Sequence, residues 1–224
     1  MALLYQDGNL LANFFEKYPQ ILENCLAVSK KINSDIGTNL VSTNEVSFDL
    51  ILPFLFPQIE VSEAKQISYN LQVHREIVDL YNNKNSEVFI LTNLLIKSNS
   101  EIPVSFEEYQ KINKTKRIFL NNNLSNSYLI STERVYYRFS TTNKILKNAQ
   151  NKIKNFSAFL LFDDDLYDLE KDLENGKNTI LIDFLNQDSL LENAIDEMLK
   201  LIEDDTDIFD TFTKIFKTIY QYEW

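Results

Sequence analysis

Apolar positions recur at three- and four-residue intervals over much of the chain, the period of helices buried on one face. The longest such stripe is Ala64, Ile67, Leu71, His74, Val78 and Tyr81, and it predicts a helix from about Glu63 to Asn82. Ser62 is placed to cap that helix, and Glu63 suits the positive end of its dipole. A second stripe runs through Tyr18, Leu22, Cys25, Val28 and Ile32. Pro19 fits its first turn, and Gly37 lies just past its expected end.

Two capping boxes mark further starts. Ser105 and Glu108, with Val104 before the cap, predict a helix through about Asn121. Ser189 and Glu192 predict another that carries Leu191, Ala194, Ile195, Met198, Leu201 and Ile202. After the acidic break Glu203-Asp204-Asp205, a last helix holds Ile208, Phe212, Ile215, Ile219 and Tyr222, its face widened by Phe209, Phe216 and Tyr220. The two would form an antiparallel hairpin.

Other segments lack this period. The stretch NNNLSNS, Asn121 to Ser127, reads as a loop and as the best internal boundary. Val88 to Leu91, Phe156 to Phe162 and Thr179 to Phe184 are short apolar runs that read as buried strands, while Tyr128 to Phe139 fits strand or helix. The expected fold is therefore mainly α, a multi-helix domain with room for a small β-sheet in the second half. Residues 1–224 are expected to form a single compact unit. It is open to subdivision into a helical N-terminal region, 1–120, and a charge-segregated C-terminal region, 128–224.

Composition narrows the chemistry. With three glycines in 224 residues, each isolated, no Gly-rich phosphate-binding loop can be built. Cys25 is the one cysteine, so no internal disulfide points to an oxidising compartment. The opening MALLYQDGNLLANFF has no basic n-region, and no apolar run reaches the ~18 residues of a membrane span. The expectation is a soluble cytoplasmic protein without membrane association.

The net charge of −11 is unevenly distributed. Residues 1–110 hold 7 Lys/Arg against 14 Asp/Glu, and residues 111–154 hold 10 against Glu133 alone. Residues 161–224 hold 5 lysines against 18 acids. One reading has the basic segment neutralising the acidic tail inside the fold. The other keeps one of the two surfaces for a partner of opposite sign, because long-range potential steers association more than it stabilises a fold.

His74 and Cys25 are single and lie on apolar stripes, which suits core positions better than a nucleophile and its base. Carboxylates are the abundant resource. Asp163, Asp164 and Asp165 follow the apolar run Phe156 to Phe162, and Asp183 ends TILID in the same way. Acids at the ends of neighbouring buried strands can hold Mg²⁺ or Mn²⁺, so a phosphodiesterase or nuclease using Asp163, Asp165 and Asp183 is one alternative. The same aspartates can equally cap a helix, and no metal motif accompanies them. In the basic segment, Lys114, Lys116, Arg117, Arg134, Arg138, Lys144 and Lys147 alternate with aromatic residues, a pattern suited to phosphates and unpaired bases. Direct nucleic-acid or polyanion binding is the less favoured reading, since the whole chain is acidic.

The favoured reading is a non-catalytic, cofactor-free and metal-free acidic protein that binds a basic macromolecular partner, as an inhibitor or immunity-type protein, for instance one blocking a nucleic-acid-binding protein. Asp163, Asp164, Asp165, Asp168, Asp204, Asp205 and Asp207 are its candidate contacts. A third reading is a scaffold that self-associates through the aromatic band Phe209 to Tyr220.

Overall fold

The computed structural model describes residues 8–43, 46–81, 87–98, 119, 123–132, 143–187, 189–202 and 214. The chain divides into two compact units, Met1–Gln6, Ala12–Gln110 and Arg138–Asn148 in the first and Asp7–Leu11, Lys111–Tyr137 and Ala149–Trp224 in the second. Among the described residues there are helices and no strands, and no helix there is long and apolar enough to cross a membrane.

Helix α1 spans Gly8–Lys17 and α2 spans Pro19–Ile36. Pro19 opens α2 because a first-turn residue needs no N–H partner, and Gly37 closes it in the left-handed region at φ 79°. The Gly37 N–H donates to the Asn33 carbonyl at 2.9 Å, satisfying one of the carbonyls stranded at the helix end. Cys25, Val28 and Ile32 of the predicted stripe are buried, and the side-chain amide of Asn33 pairs with both backbone groups of Val41 at 2.7 and 2.8 Å.

The short α3, Phe48–Ile51, runs into a 3₁₀ turn at Leu52–Leu55, where Pro53 blocks an α-helical continuation. Helix α4, Val61–Tyr81, packs against α2, α3, the 3₁₀ turn and α5, Glu87–Lys97. It starts a residue or two before the expected Glu63, because the Ala64 N–H already donates to the Glu60 carbonyl at 2.8 Å. Ser62 therefore lies inside the first turn and is no cap. Having neighbours on several sides, α4 buries Ser68, Tyr69, Gln72, Val73 and Ile77 besides the predicted Ala64, Ile67, Leu71 and His74. The polar members are partnered: the Ser47 hydroxyl donates to Gln72, and the Cys25 thiol and the Ser68 hydroxyl both donate to the Leu50 carbonyl.

In the second unit, α6 covers Leu124–Ser131. Helix α7, Lys144–Asn148, returns to the first unit and completes its described residues. The second unit then continues with α8 at Gln150–Tyr167, α9 at Leu169–Glu174, α10 at Ile180–Leu185 and α11 at Leu191–Lys200. Helix α8 is central and packs on α6, α9, α10 and α11. Its sequence supplies a nearly continuous buried surface of Ile153, Phe156, Phe159, Leu160, Phe162 and Leu166. Ring contacts link Phe156 to Phe159 at 6.3 Å, Phe159 to Phe162 at 6.5 Å and Phe162 to Tyr128 of α6 at 5.7 Å. Asn155 of α8 donates to the Leu201 carbonyl at 2.9 Å, tying α8 to the end of α11.

Several expectations for the chain are corrected here. The small β-sheet is absent among the described residues: Val88–Leu91 lies in α5, Phe156–Phe162 in α8, and Thr179–Phe184 forms α10 behind its N-cap Thr179. Short apolar windows do not separate a buried helix from a buried strand, and here each run continues into a longer helical pattern or meets a cap. The Asn-rich stretch is not a loop beyond Asn123. That residue caps α6 by accepting from the Asn126 N–H at 2.9 Å, and Glu197 of α11 accepts from the Ser125 N–H at 2.8 Å. Leu190, not Ser189, occupies the cap position of α11, and no side-chain cap hydrogen bond is made there. The helix expected from Ser105 lies outside the described residues apart from Phe119, which is not helical. So does the last helix, apart from Lys214.

Candidate functional site

The described carboxylates of the second unit separate into an inward and an outward set. Asp163 and Asp165, two residues apart on α8, are both buried at 3% exposure, because α8 meets neighbours on nearly every side. Asp165 accepts a hydrogen bond from the phenol of Tyr128 at 2.7 Å, and that ring is fully buried. These two aspartates belong to the interior of the unit, which corrects their assignment as outward contacts. A run of three charges reads as surface only if the helix has a solvent face there.

Asp164 and Asp168 are half-buried, and Glu170 and Glu174 are exposed. The Asp168 N–H donates to the Asp164 carbonyl at 3.0 Å and the Asp172 N–H to the Asp168 carbonyl at 2.8 Å. Asp168, at φ −87° and ψ 0°, ends α8 and opens α9, so Asp164, Asp168 and Asp172 keep a four-residue spacing across the junction of two helices. Asp172 itself is buried and pairs with Lys177 at 2.6 Å. That contact, with Asp168 and Asp164 farther away, holds the Lys177 ammonium above the ordinary lysine range. The side chain of Lys171 pairs more loosely with Asp168 at 3.4 Å. The sequence signal for Glu170 and Glu174 is their four-residue spacing, which places both on one helical face.

The end of α9 is held rigidly. The Lys177 N–H donates to the Asp172 carbonyl at 2.9 Å and the Gly176 N–H to the Leu173 carbonyl at 3.2 Å, with Gly176 at φ 64°. This is the Schellman arrangement, which satisfies two carbonyls at a helix end. A Cβ on Gly176 would meet no atom, so Gly176→Ala costs only what its left-handed backbone imposes, about 1–2 kcal/mol. Urea denaturation followed by circular dichroism is the check, and an unchanged midpoint would contradict this account of the turn.

The remaining sequence candidates fall elsewhere. Asp183 is half-buried within α10. No group of three or more His, Cys, Asp or Glu side chains among the described residues could hold a metal, so Asp163, Asp165 and Asp183 do not assemble into one. Lys144 and Lys147 are exposed on α7. Lys114, Lys116, Arg117, Arg134 and Arg138, and likewise Asp204, Asp205 and Asp207, lie outside the described residues, as does the aromatic band Phe209 to Tyr220 apart from Lys214. Cys25 is buried, which pushes its thiol well above the usual range and away from the reactive thiolate. His74 is buried on α4.

In the first unit, burial works against ionisation of Asp35, but hydrogen bonds from Lys31 and from the Tyr69 phenol at 2.8 Å hold its carboxyl below the usual range. An open hollow of about 400 Å³ lies at the end of α2, lined by Lys30, Ser34, Thr38, Asn39 and Thr43 among others. Its lining side chains are polar, unlike those of most small-molecule sites.

No protein-family model, no curated protein and no solved structure matches the chain.

Proposed function

We propose that this chain acts by binding a basic macromolecular partner through the outward carboxylates of its second unit, in the manner of an inhibitor or immunity-type protein. Asp164, Asp168, Glu170 and Glu174 are its contact residues, with the interior Asp163 and Asp165 fixing the helix that carries them. The observation that supports this reading is the outward set itself, exposed Glu170 and Glu174 beside half-buried Asp164 and Asp168, which together present a negative field at the surface. A partner's lysine or arginine would meet the same field, which favours encounter over distances of about a Debye length, ~10 Å at 0.1 M salt.

The test reverses Asp164, Asp168 and Glu170 together to lysine and follows association with a lysine- and arginine-rich peptide by stopped flow. The expected result is an association rate about tenfold slower at about 0.01 M salt, with the difference shrinking near 0.15 M. Equal rates at low salt for the triple variant and the unaltered chain would remove the proposal. The melting temperature of the variant should stay close to that of the parent, since these side chains are not interior.

A further inference from the structure

Asn175 is the only asparagine in the sequence that is followed by glycine. That pairing has a chemistry of its own, because a backbone nitrogen whose residue carries no Cβ approaches the preceding amide side chain with little hindrance. Both residues are exposed, and beyond the adjoining residues no atom lies within 4 Å of the place a Cβ on Gly176 would take. The closed turn nevertheless keeps the two groups apart. Ring closure between the Gly176 nitrogen and the Asn175 Cγ needs that nitrogen to eclipse Cβ about the Cα–C bond. Asn175 stands at ψ 0°, where the Gly176 nitrogen eclipses the Asn175 nitrogen and lies about 120° away from Cβ. Hydrogen bonds fix it there. The Asn175 Nδ2 donates to the Lys171 carbonyl at 2.6 Å, the Gly176 N–H to the Leu173 carbonyl at 3.2 Å and the Lys177 N–H to the Asp172 carbonyl at 2.9 Å. The Lys177 ammonium, paired with the Asp172 carboxylate at 2.6 Å, adds a tie across the turn.

We propose that Asn175 is a site of spontaneous, one-way deamidation, gated by opening of the α9 terminus. With the turn open, rotation about ψ brings the Gly176 nitrogen onto the Asn175 Cγ. A bond forms between them, the Cγ–Nδ2 bond breaks, and the Gly176 amide proton leaves with Nδ2 as ammonia. Water then opens the five-membered imide. Attack at Cγ restores the backbone amide and leaves aspartate at 175, whereas attack at the main-chain carbonyl leaves isoaspartate, with the chain running through Cβ. Either way asparagine and one water become a carboxylic acid and ammonia, with no oxidant and no enzyme. Both products loosen the turn. A carboxylate cannot donate to the Lys171 carbonyl, and it sets negative charge against the stranded carbonyls of a helix end. Isoaspartate also lengthens the main chain by a methylene, which moves the Gly176 and Lys177 N–H groups out of register with their acceptors. The new charge stands beside Glu174, so the outward set grows more acidic as the molecule ages. None of this needs a partner, and it stands apart from the acidic-surface reading above.

The test follows the full chain at mildly alkaline pH, folded and in guanidinium chloride. Mass spectrometry of the peptide spanning residues 172–177 reads the exchange of an amide NH₂ for OH, and chromatography separates aspartate from isoaspartate. In the folded chain Asn175 should convert about tenfold slower than in denaturant, because only the locally opened fraction reacts. Lys177→Ala removes the tie to Asp172 and should raise the folded rate about threefold while leaving the denatured rate unchanged. Gly176→Ala in denaturant, where no turn remains to be strained, should slow conversion about tenfold by restoring the Cβ. An Asn175 that stays intact in the folded chain while it converts in denaturant would overturn the site. Equal rates in the two states, or a folded Lys177→Ala converting at the parent's rate, would overturn the gate. A melting curve of Lys177→Ala that matches the parent's assigns its faster conversion to the turn and not to global unfolding.

Discussion

Asp165→Lys is expected to unfold the second unit, whereas the same reversal one residue earlier, Asp164→Lys, should leave its stability within about 1 kcal/mol of the parent. Asp165 is an interior residue whose carboxylate receives the phenol of a fully buried Tyr128 at 2.7 Å. Reversing it removes the acceptor, strands the hydroxyl and brings an ammonium into a space shaped for a shorter side chain. Breaking a buried polar pair from one side costs about 3–5 kcal/mol, a large share of the roughly 5–15 kcal/mol that holds a typical domain together. Tyr128→Phe is the milder companion, expected to cost about 1.5–3 kcal/mol because it removes one donor and nothing else. Urea unfolding monitored by circular dichroism would read both, and a double-mutant cycle of Tyr128→Phe with Asp165→Asn would isolate the coupling. An Asp165→Lys protein that melts with the parent would show that the carboxylate faces water. The contrast also bears on function: binding lost on altering Asp163 or Asp165 would report a damaged helix, while binding lost on altering Asp164, Asp168 or Glu170 would report a contact.

Where apolar spacing and punctuation agree, the helices are legible in the sequence. Pro19 and Gly37 bracket α2 as expected, and the Ala64–Ile67–Leu71–His74 stripe is buried in α4. What periodicity cannot supply is the number of neighbours each helix has. Helix α4 buries residues well beyond its stripe because several elements surround it, and α8 does the same with polar side chains included. In α8 the interior row runs Ile153, Phe156, Phe159, Phe162, Asp163 and Leu166, helical in spacing but interrupted by an aspartate where a core row is ordinarily apolar. A window confined to Phe156–Phe162 stops short of that row, and within it strand and helix look alike. The candidate site divides for the same reason. That the Asp163-to-Glu174 region is rich in carboxylates is plain from the sequence, but which of them face out depends on how α6, α9, α10 and α11 surround α8. The denser Asp163–Asp165 run draws attention away from Glu170 and Glu174, although their four-residue spacing already places them together.

Phe159→Ala should be the most damaging of the apolar truncations in the second unit, and it separates the helical account of Phe156–Phe162 from the strand account. On a strand, side chains alternate, so Phe156, Ala158, Leu160 and Phe162 would share one face and Phe159 would point the other way. On α8 the rings of Phe156, Phe159 and Phe162 follow at intervals of three, and Phe159 touches both of the others with no exposure of its own. Truncating it removes a buried ring from the middle of this series and leaves a cavity that Phe156 and Phe162 cannot close without leaving their rotamers, a loss of about 3–5 kcal/mol. The same substitution at Phe162 also breaks the edge-to-face contact with Tyr128, worth about 0.5–1.5 kcal/mol beyond the buried area, and so weakens the support of the Tyr128–Asp165 bond. Phe159→Leu, which refills most of the volume, should recover the greater part of the stability. Thermal melting of the three variants orders them directly. A Phe159→Ala protein as stable as the parent would place that ring outside the core, and with it would go the burial of Asp163 and Asp165 that divides the inward carboxylates from the outward ones.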